Sequence, residues 1–144
     1  MAKVEESAGI AIICDKKILL CHSTNAKWFA SYMPPKGVIE ENESKEDAAS
    51  RETMEEIGID ISPAALGKMH TVQYLRKGKH FKTVYIFEYH IDSLEEIGLG
   101  GDTIPEEMLQ LEEIDYAKFM EYGEASIRIL PRYSELLDTL INNV

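Results

Sequence analysis

The sequence is poor in cysteine, in basic residues and in long apolar runs. Only Cys14 and Cys21 are present, too few for a disulfide framework and without the CxxC spacing of a metal site. Both lie in apolar stretches, which predicts buried free thiols. No apolar run approaches the length that crosses a bilayer. The start, Met1-Ala2-Lys3-Val4-Glu5-Glu6, carries acids where a signal peptide has its apolar core. A cytoplasmic protein with no membrane partner is expected. Lys and Arg total 15 against 26 Asp and Glu, a formal net charge of -11. That balance argues against binding long nucleic acid. It leaves room for a small polyanion, provided divalent cations bridge the like charges. The histidines His22, His70, His80 and His90 show no metal-ligand spacing, so structural or surface roles are expected. Repeats, low-complexity tracts and linkers are absent. The 144 residues fit one domain, 1–144, long enough to bury a core.

What is present reads as alternating strands and helices. Ser7 to Cys14 and Lys17 to Cys21 read as strands joined at Asp15-Lys16, a hairpin. His22 to Tyr32 reads as a loop, and Pro34-Pro35-Lys36-Gly37 as loop punctuation. Ser44 is a candidate N-cap with Asp47 three residues on, a variant capping box, opening a helix from Lys45 to Ile57 that Gly58 ends. Val72 to Arg76 and Phe81 to Ile91 read as strands around Lys77-Gly78-Lys79, the second rich in aromatic and β-branched residues. Asp92 to Glu113 reads as a long acidic loop. Tyr116 to Met120 reads as a short strand, and Ser134 to Asn142 as a helix with an apolar stripe of Leu136, Leu137, Leu140 and Ile141. Hairpins among helices predict an α/β fold: an α/β/α sandwich on a mixed β-sheet.

The informative segment is Gly37 to Ile59, GVIEENESKEDAASRETMEEIGI. On a helix Glu52, Glu55 and Glu56 stand at i, i+3 and i+4, which puts three carboxylates on one face. Three such acids taken alone read more readily as a solvated helix face, since charge runs usually face water. Like charges at that spacing repel, and a hard divalent cation with oxygen ligands neutralises them. Arg51, beside Glu52, can orient a carboxylate through a bidentate pair. Gly37 lets backbone oxygens approach a metal.

This segment resembles the signature of the Nudix hydrolase superfamily, G-x5-E-x7-R-E-U-x-E-E-x-G-U with U a bulky apolar residue. Gly37, Glu43, Arg51-Glu52, Glu55-Glu56 and Gly58-Ile59 stand at its spacings. Thr53 departs from it, since the family prefers an aliphatic residue there; its size is close to that of Val. The resemblance implies a Nudix-type sandwich with its box at 37–59. It also implies hydrolysis of a nucleoside diphosphate linked to another group, X, with magnesium or manganese as cofactor. Glu55, Glu56 and the Gly37 carbonyl would bind metal, and Glu52 would bind metal or activate water. Arg51 and Glu43 would stabilise the loop-helix-loop, which places Arg51 in the catalytic machinery. The chemistry agrees, because metal ions neutralise phosphate oxygens and acidify bound water.

Pro35-Lys36-Gly37 and Phe81-Lys82-Thr83-Val84-Tyr85 resemble the branch that hydrolyses diadenosine polyphosphates and diphosphoinositol compounds. Lys36 and Lys82 would then contact phosphates. Tyr74 and Tyr116 are candidates to stack on a base. Glu113, six residues before Phe119, is a candidate metal ligand or base, with Glu112, Glu106 and Glu107 as competitors. The leading expectation is hydrolysis of a dinucleoside polyphosphate by a monomer or homodimer. Alternatives are removal of pyrophosphate from an RNA 5′ end, clearance of modified nucleoside triphosphates, and a non-catalytic domain that senses a small nucleotide.

Overall fold

A computed structural model describes residues 4–141. Strand β1 (Glu5–Cys14) turns at Asp15 and Lys16 into β2 (Lys17–Ser23). Both turn residues adopt positive φ, 50° and 62°, the backbone of a type I′ hairpin turn. A short β3 (Lys36–Val38) precedes helix α1 (Lys45–Ile57). Then come β4 (Met69–Arg76), β5 (Lys79–Ile91), β6 (Ile114–Met120), α2 (Tyr122–Arg128) and α3 (Ser134–Ile141). The mixed sheet has the order β4-β5-β1-β2-β6, with β3 paired to β1 off that path. Strands β1 and β5 run parallel, and the other pairs are antiparallel.

Every residue of β1 from Ser7 to Cys14 is buried, because helices cover both faces of the sheet. On one face Ala48, Ala49 and Ile57 of α1 pack with Ala8, Ile10, Ile12, Leu19 and Cys21. On the other, Ala125, Tyr133, Leu136 and Leu137 pack with Ala11, Ile13, Ile18, Leu20, Val84 and Ile86. This is the α/β/α sandwich. Cys14 and Cys21 are buried and free.

Helix α1 begins and ends where its caps put it. Ser44 Oγ accepts from the Asp47 backbone N–H at 3.0 Å, and Gly58 closes the helix at φ 70°, a left-handed cap suited to glycine. The expected variant capping box is half made: Ser44 caps, while the return bond from Asp47 is absent among the described residues. Thr53 is fully buried, and its Oγ1 donates to the Ala49 carbonyl at 2.8 Å, so its hydroxyl is satisfied within the helix. Several elements depart from sequence expectation: β4 begins at Met69 rather than Val72, and the expected acidic loop holds 3-10 turns at Leu94–Ile97 and Glu106–Met108. Lys36 to Val38 pairs with β1 rather than looping freely. Tyr122–Arg128 forms a helix with no apolar stripe to announce it.

β1 changes partner along its length. Ser7 to Gly9 face β3, whereas Ile13 and Cys14 face β2. The sheet therefore opens between β3 and β2, beside the C-terminal half of α1. Gly9 permits the β3 pairing, since a Cβ there would collide with the Pro35 carbonyl and Lys36. Gly9→Ala is expected to destabilise the fold by about 1–3 kcal/mol, a typical overpacking cost, in urea-unfolding measurements. An unchanged midpoint would show that β3 does not depend on this contact.

Candidate active site

A crevice of about 450 Å³ fills the opening in the sheet, lined among others by Ser7, Thr24, Asn25, Lys36, Gly37, Glu52, Glu56, Lys82, Glu112 and Glu113. Glu56 is 6% exposed, and its Oε1 accepts from the Lys36 backbone N–H at 3.1 Å. Burial pushes its carboxyl up to about 8, aided by Glu52 and Glu113 and opposed by the Lys36 bond. Burial also raises Glu52 above the ordinary range, against the pull of Arg51. The Glu52 carboxylate lies so close to Gly37 that a Cβ would collide with it; only glycine fits there.

Arg51 is the hub of the loop-helix junction. Its Nε and Nη2 donate to the two oxygens of Glu43 at 2.7 and 2.9 Å, and Nη2 also donates to the Val38 carbonyl at 3.0 Å. Nη1 donates to Glu52 Oε1 at 2.8 Å and to Glu55 at 3.1 and 3.3 Å. The bidentate partner is thus Glu43. Glu52 receives a single bond, because adjacent helical residues do not face each other. Glu43 also accepts from the Glu40 N–H at 3.0 Å, and its pairing with Arg51 holds its carboxyl below the usual range.

Glu55 departs from the expected trio. Its side chain is half exposed, bound to Arg51, and absent from the crevice lining. Among the described residues no preformed cluster of three or more His, Cys, Asp or Glu can hold a metal ion. Four carboxylates nonetheless line the crevice, Glu52, Glu56, Glu112 and Glu113, and Glu56 is buried with a single N–H partner. Oxygen donors of this kind, with Glu56 outside any ion pair among the described residues, fit a hard divalent cation.

The basic half of the crevice is Lys36 and Lys82. Burial first, and Lys82 beside it second, lower the Lys36 amine to about 8. Lys82 Nζ lies 3.1 Å from Glu5 Oε1. Ser7, fully buried in β1, has no hydrogen-bond partner for its Oγ among the described residues, and it lines the same crevice. Ser7 went unnoticed in the sequence; its signal is a hydroxyl residue opening the otherwise apolar run AGIAIIC.

The acidic loop reaches the crevice because it is pinned at several points. Lys17 Nζ holds Asp102 at 2.8 Å, Gln110 N–H donates to the Glu56 carbonyl at 2.9 Å, and Thr24 N–H to the Glu113 carbonyl at 2.9 Å. Glu112 and Glu113 are thereby delivered to the site; Glu106 and Glu107 are not among its lining residues. Phe119 is a core residue. Neither Tyr74 nor Tyr116 lines this crevice. Tyr116 stands edge-on to Tyr32 on β6. Tyr74 lines an adjoining crevice with Glu5, Phe81, Lys82 and Arg132, and the Arg132 guanidinium sits 3.9 Å from its ring centroid. The four histidines form side-chain hydrogen bonds away from the crevice: His22 to Asp115, His70 and His90 to Glu88, His80 to Thr83.

Solved structures share this architecture. An Ap4A hydrolase from C. elegans in a binary complex is 25% identical, with a TM-score of 0.62 over 93% of each chain. A MutT NUDIX hydrolase from Burkholderia pseudomallei is 19% identical, with a TM-score of 0.73 over 96% of this chain and 98% of the other. A bifunctional NMN adenylyltransferase/ADP ribose pyrophosphatase from Francisella tularensis, complexed with AMP and manganese, is 16% identical. Its TM-score is 0.69 over 99% of this chain and 42% of its own. None of the curated proteins compared with the chain matched it. The family model of the NUDIX domain matches residues 4–140, and the chain belongs to that family, as a hydrolase of phosphoanhydride bonds.

Proposed function

We propose that the chain cuts a phosphoanhydride bond in a dinucleoside polyphosphate, of which diadenosine tetraphosphate is the type, with magnesium as the metal. The observation that carries this reading is one crevice lined both by two desolvated carboxylates, Glu52 and Glu56, and by two adjacent lysines, Lys36 and Lys82. A nucleoside diphosphate sugar supplies little negative charge to that lysine pair, whereas a longer phosphate chain supplies more. The C. elegans relative named for Ap4A hydrolysis points the same way.

Glu52, Glu56 and the Gly37 backbone would hold the metal, and Glu55 would join them by exchanging its contact with Arg51. When bound, the metal neutralises charge on the phosphate oxygens and acidifies water. Lys36 and Lys82 bind the phosphate chain and fix its register. Arg51 keeps Glu52 turned toward the crevice. Glu113 has no ion-pair partner among the described residues and lines the crevice with Glu52 and Glu56, so it would take the proton from the attacking water.

A substrate panel run in heavy-oxygen water tests the reading, with products weighed by mass spectrometry. Diadenosine tetraphosphate should give ATP and AMP, with the label in one of them. A preference for nucleoside diphosphate sugars, capped RNA or modified triphosphates would replace it. Lys82→Ala should raise KM for diadenosine tetraphosphate about tenfold, the loss of one charge-assisted contact, and affect ADP-ribose less. Equal losses on both would deny Lys82 its phosphate.

Glu56→Gln should lower turnover at least about a hundredfold with the fold intact. The pH dependence follows from the raised carboxyl. In metal-free protein Glu56 keeps its proton up to about pH 8, while the unfolded chain releases it near pH 4.5. Its stabilising contribution is therefore full below about pH 4.5 and is lost as the pH rises to about 8. Lys36, lowered from 10.5 to about 8, acts in the window above. In chelator, the wild-type thermal midpoint should fall between pH 5 and 8 more steeply than that of Glu56→Gln. Magnesium should raise the wild-type midpoint more at pH 8 than at pH 6, because binding displaces that proton. Parallel pH curves for the two proteins would exclude Glu56 as the titrating group.

A further inference from the structure

Arg132 shares a crevice with Lys82 and has no ion-pair partner among the described residues. In a chain of net charge -11, an arginine without a carboxylate partner beside the candidate site is notable. Its position is well fixed. It sits in a 3-10 turn, Pro131–Tyr133, whose Tyr133 is fully buried. The Tyr133 and Tyr74 hydroxyls are hydrogen-bonded at 2.5 Å, and Leu130 N–H donates to the Tyr32 carbonyl at 2.9 Å. The exposed guanidinium therefore extends from an anchored backbone and rests on the Tyr74 ring, 3.9 Å from its centroid.

The same ring has Lys82 Nζ at 5.2 Å. By the sum of those two distances, the two cationic groups lie at most about 9 Å apart. Pairing of Glu5 with Lys82, and of Lys82 with Tyr74, sets these residues in one row across β1, β5 and β4. Lys82 lines the crevice of Glu52 and Glu56 as well as that of Arg132. The cations thus follow one another outward from the acids: Lys36, Lys82, Arg132. Glu5, the acid along this path, is already held by Lys82. Planar guanidinium suits phosphate oxygens, and stacking on an aromatic ring leaves its N–H edges free to donate.

We propose that Arg132 is a specificity residue that binds the outer phosphates of a long chain, beyond those held at Lys36 and Lys82. This deepens the polyphosphate reading and rests on it. A two-phosphate compound held by the metal acids and the lysine pair leaves Arg132 without a partner; a chain of four or more phosphates reaches it. Base stacking on Tyr74 would require Arg132 to leave its face of the ring. The pair therefore presents a cation, rather than a bare aromatic platform, to the substrate.

The test uses Arg132→Ala and Arg132→Lys. Calorimetric titration with inorganic tetraphosphate and with pyrophosphate, in magnesium, reads the site without requiring turnover. Arg132→Ala should weaken tetraphosphate about tenfold and pyrophosphate less than about twofold, with Arg132→Lys between. Equal changes for both anions, or none for either, overturn the proposal. In turnover assays KM for diadenosine tetraphosphate should rise similarly with kcat nearly unchanged, and ADP-ribose should be unaffected. A fall in kcat at constant KM would make Arg132 structural and also overturn it. If the wild type cuts no dinucleoside polyphosphate, that reading fails, and the calorimetric comparison still decides the role of Arg132.

Discussion

The Arg51 guanidinium is the contact on which the site depends. It joins the β3 loop to α1 by gripping Glu43 with two bonds and the Val38 carbonyl with a third. The same group turns Glu52 toward Gly37. Other bonds also hold the loop, among them the pairing of β3 with β1, the Ile39 N–H to the Glu6 carbonyl and the Ser44 cap, but Arg51 ties it to the side chains of α1. Five acids, Glu40, Glu43, Glu52, Glu55 and Glu56, crowd this junction, and Arg51 is in ion-pair range of four of them. Glu56 is the one left over. The scaffold thus neutralises its acids selectively and leaves the most deeply buried one without a countercharge.

The crevice carries that imbalance in both signs. Burial lifts the Glu56 carboxyl to about 8 and lowers the Lys36 amine to about 8. Each group would prefer to be neutral, and each gains from an incoming ion of opposite sign. A divalent cation answers the acid and a phosphate answers the amine, so metal and substrate satisfy two desolvation costs in one event. A net charge of -11 is no obstacle to an anionic substrate under these conditions, because what governs binding is the local arrangement of charge.

Much of this was legible in the sequence where the signals are local. Helix α1 ends within its caps because Ser44 and Gly58 act on neighbouring backbone. The hairpin turns at Asp15-Lys16 and at Lys77-Gly78 follow from two-residue chemistry. The spacing of Gly37, Glu43, Arg51-Glu52, Glu55-Glu56 and Gly58-Ile59 carried the family resemblance, and of these Gly37, Glu52 and Glu56 line the crevice. What escaped is non-local or too short for a period. Three residues of β3 cannot display alternation, and Pro34-Pro35 masks them as a loop. Helix α2 begins Tyr-Gly-Glu and buries only Ala125. Arg132 meets Tyr74 from a distant part of the chain, so nothing near either residue announces the contact.

The two halves of the site come from opposite layers of the sandwich. Glu52 and Glu56 descend from α1, on the face packed with Ala8, Ile10 and Ile12. By alternation Lys82 lies on the other face with Val84 and Ile86, and Lys36, paired with Gly9, shares the face of Ala11 and Ile13. A continuous sheet would separate such groups by its own thickness. They meet because β1 gives up β3 before it takes β2, so the sheet is split where this crevice lies. Strand β1 can change partners there because Gly9 has no side chain to hold β3 away. The chemistry of the crevice therefore rests on a topological feature of the sheet as much as on the glutamates of α1.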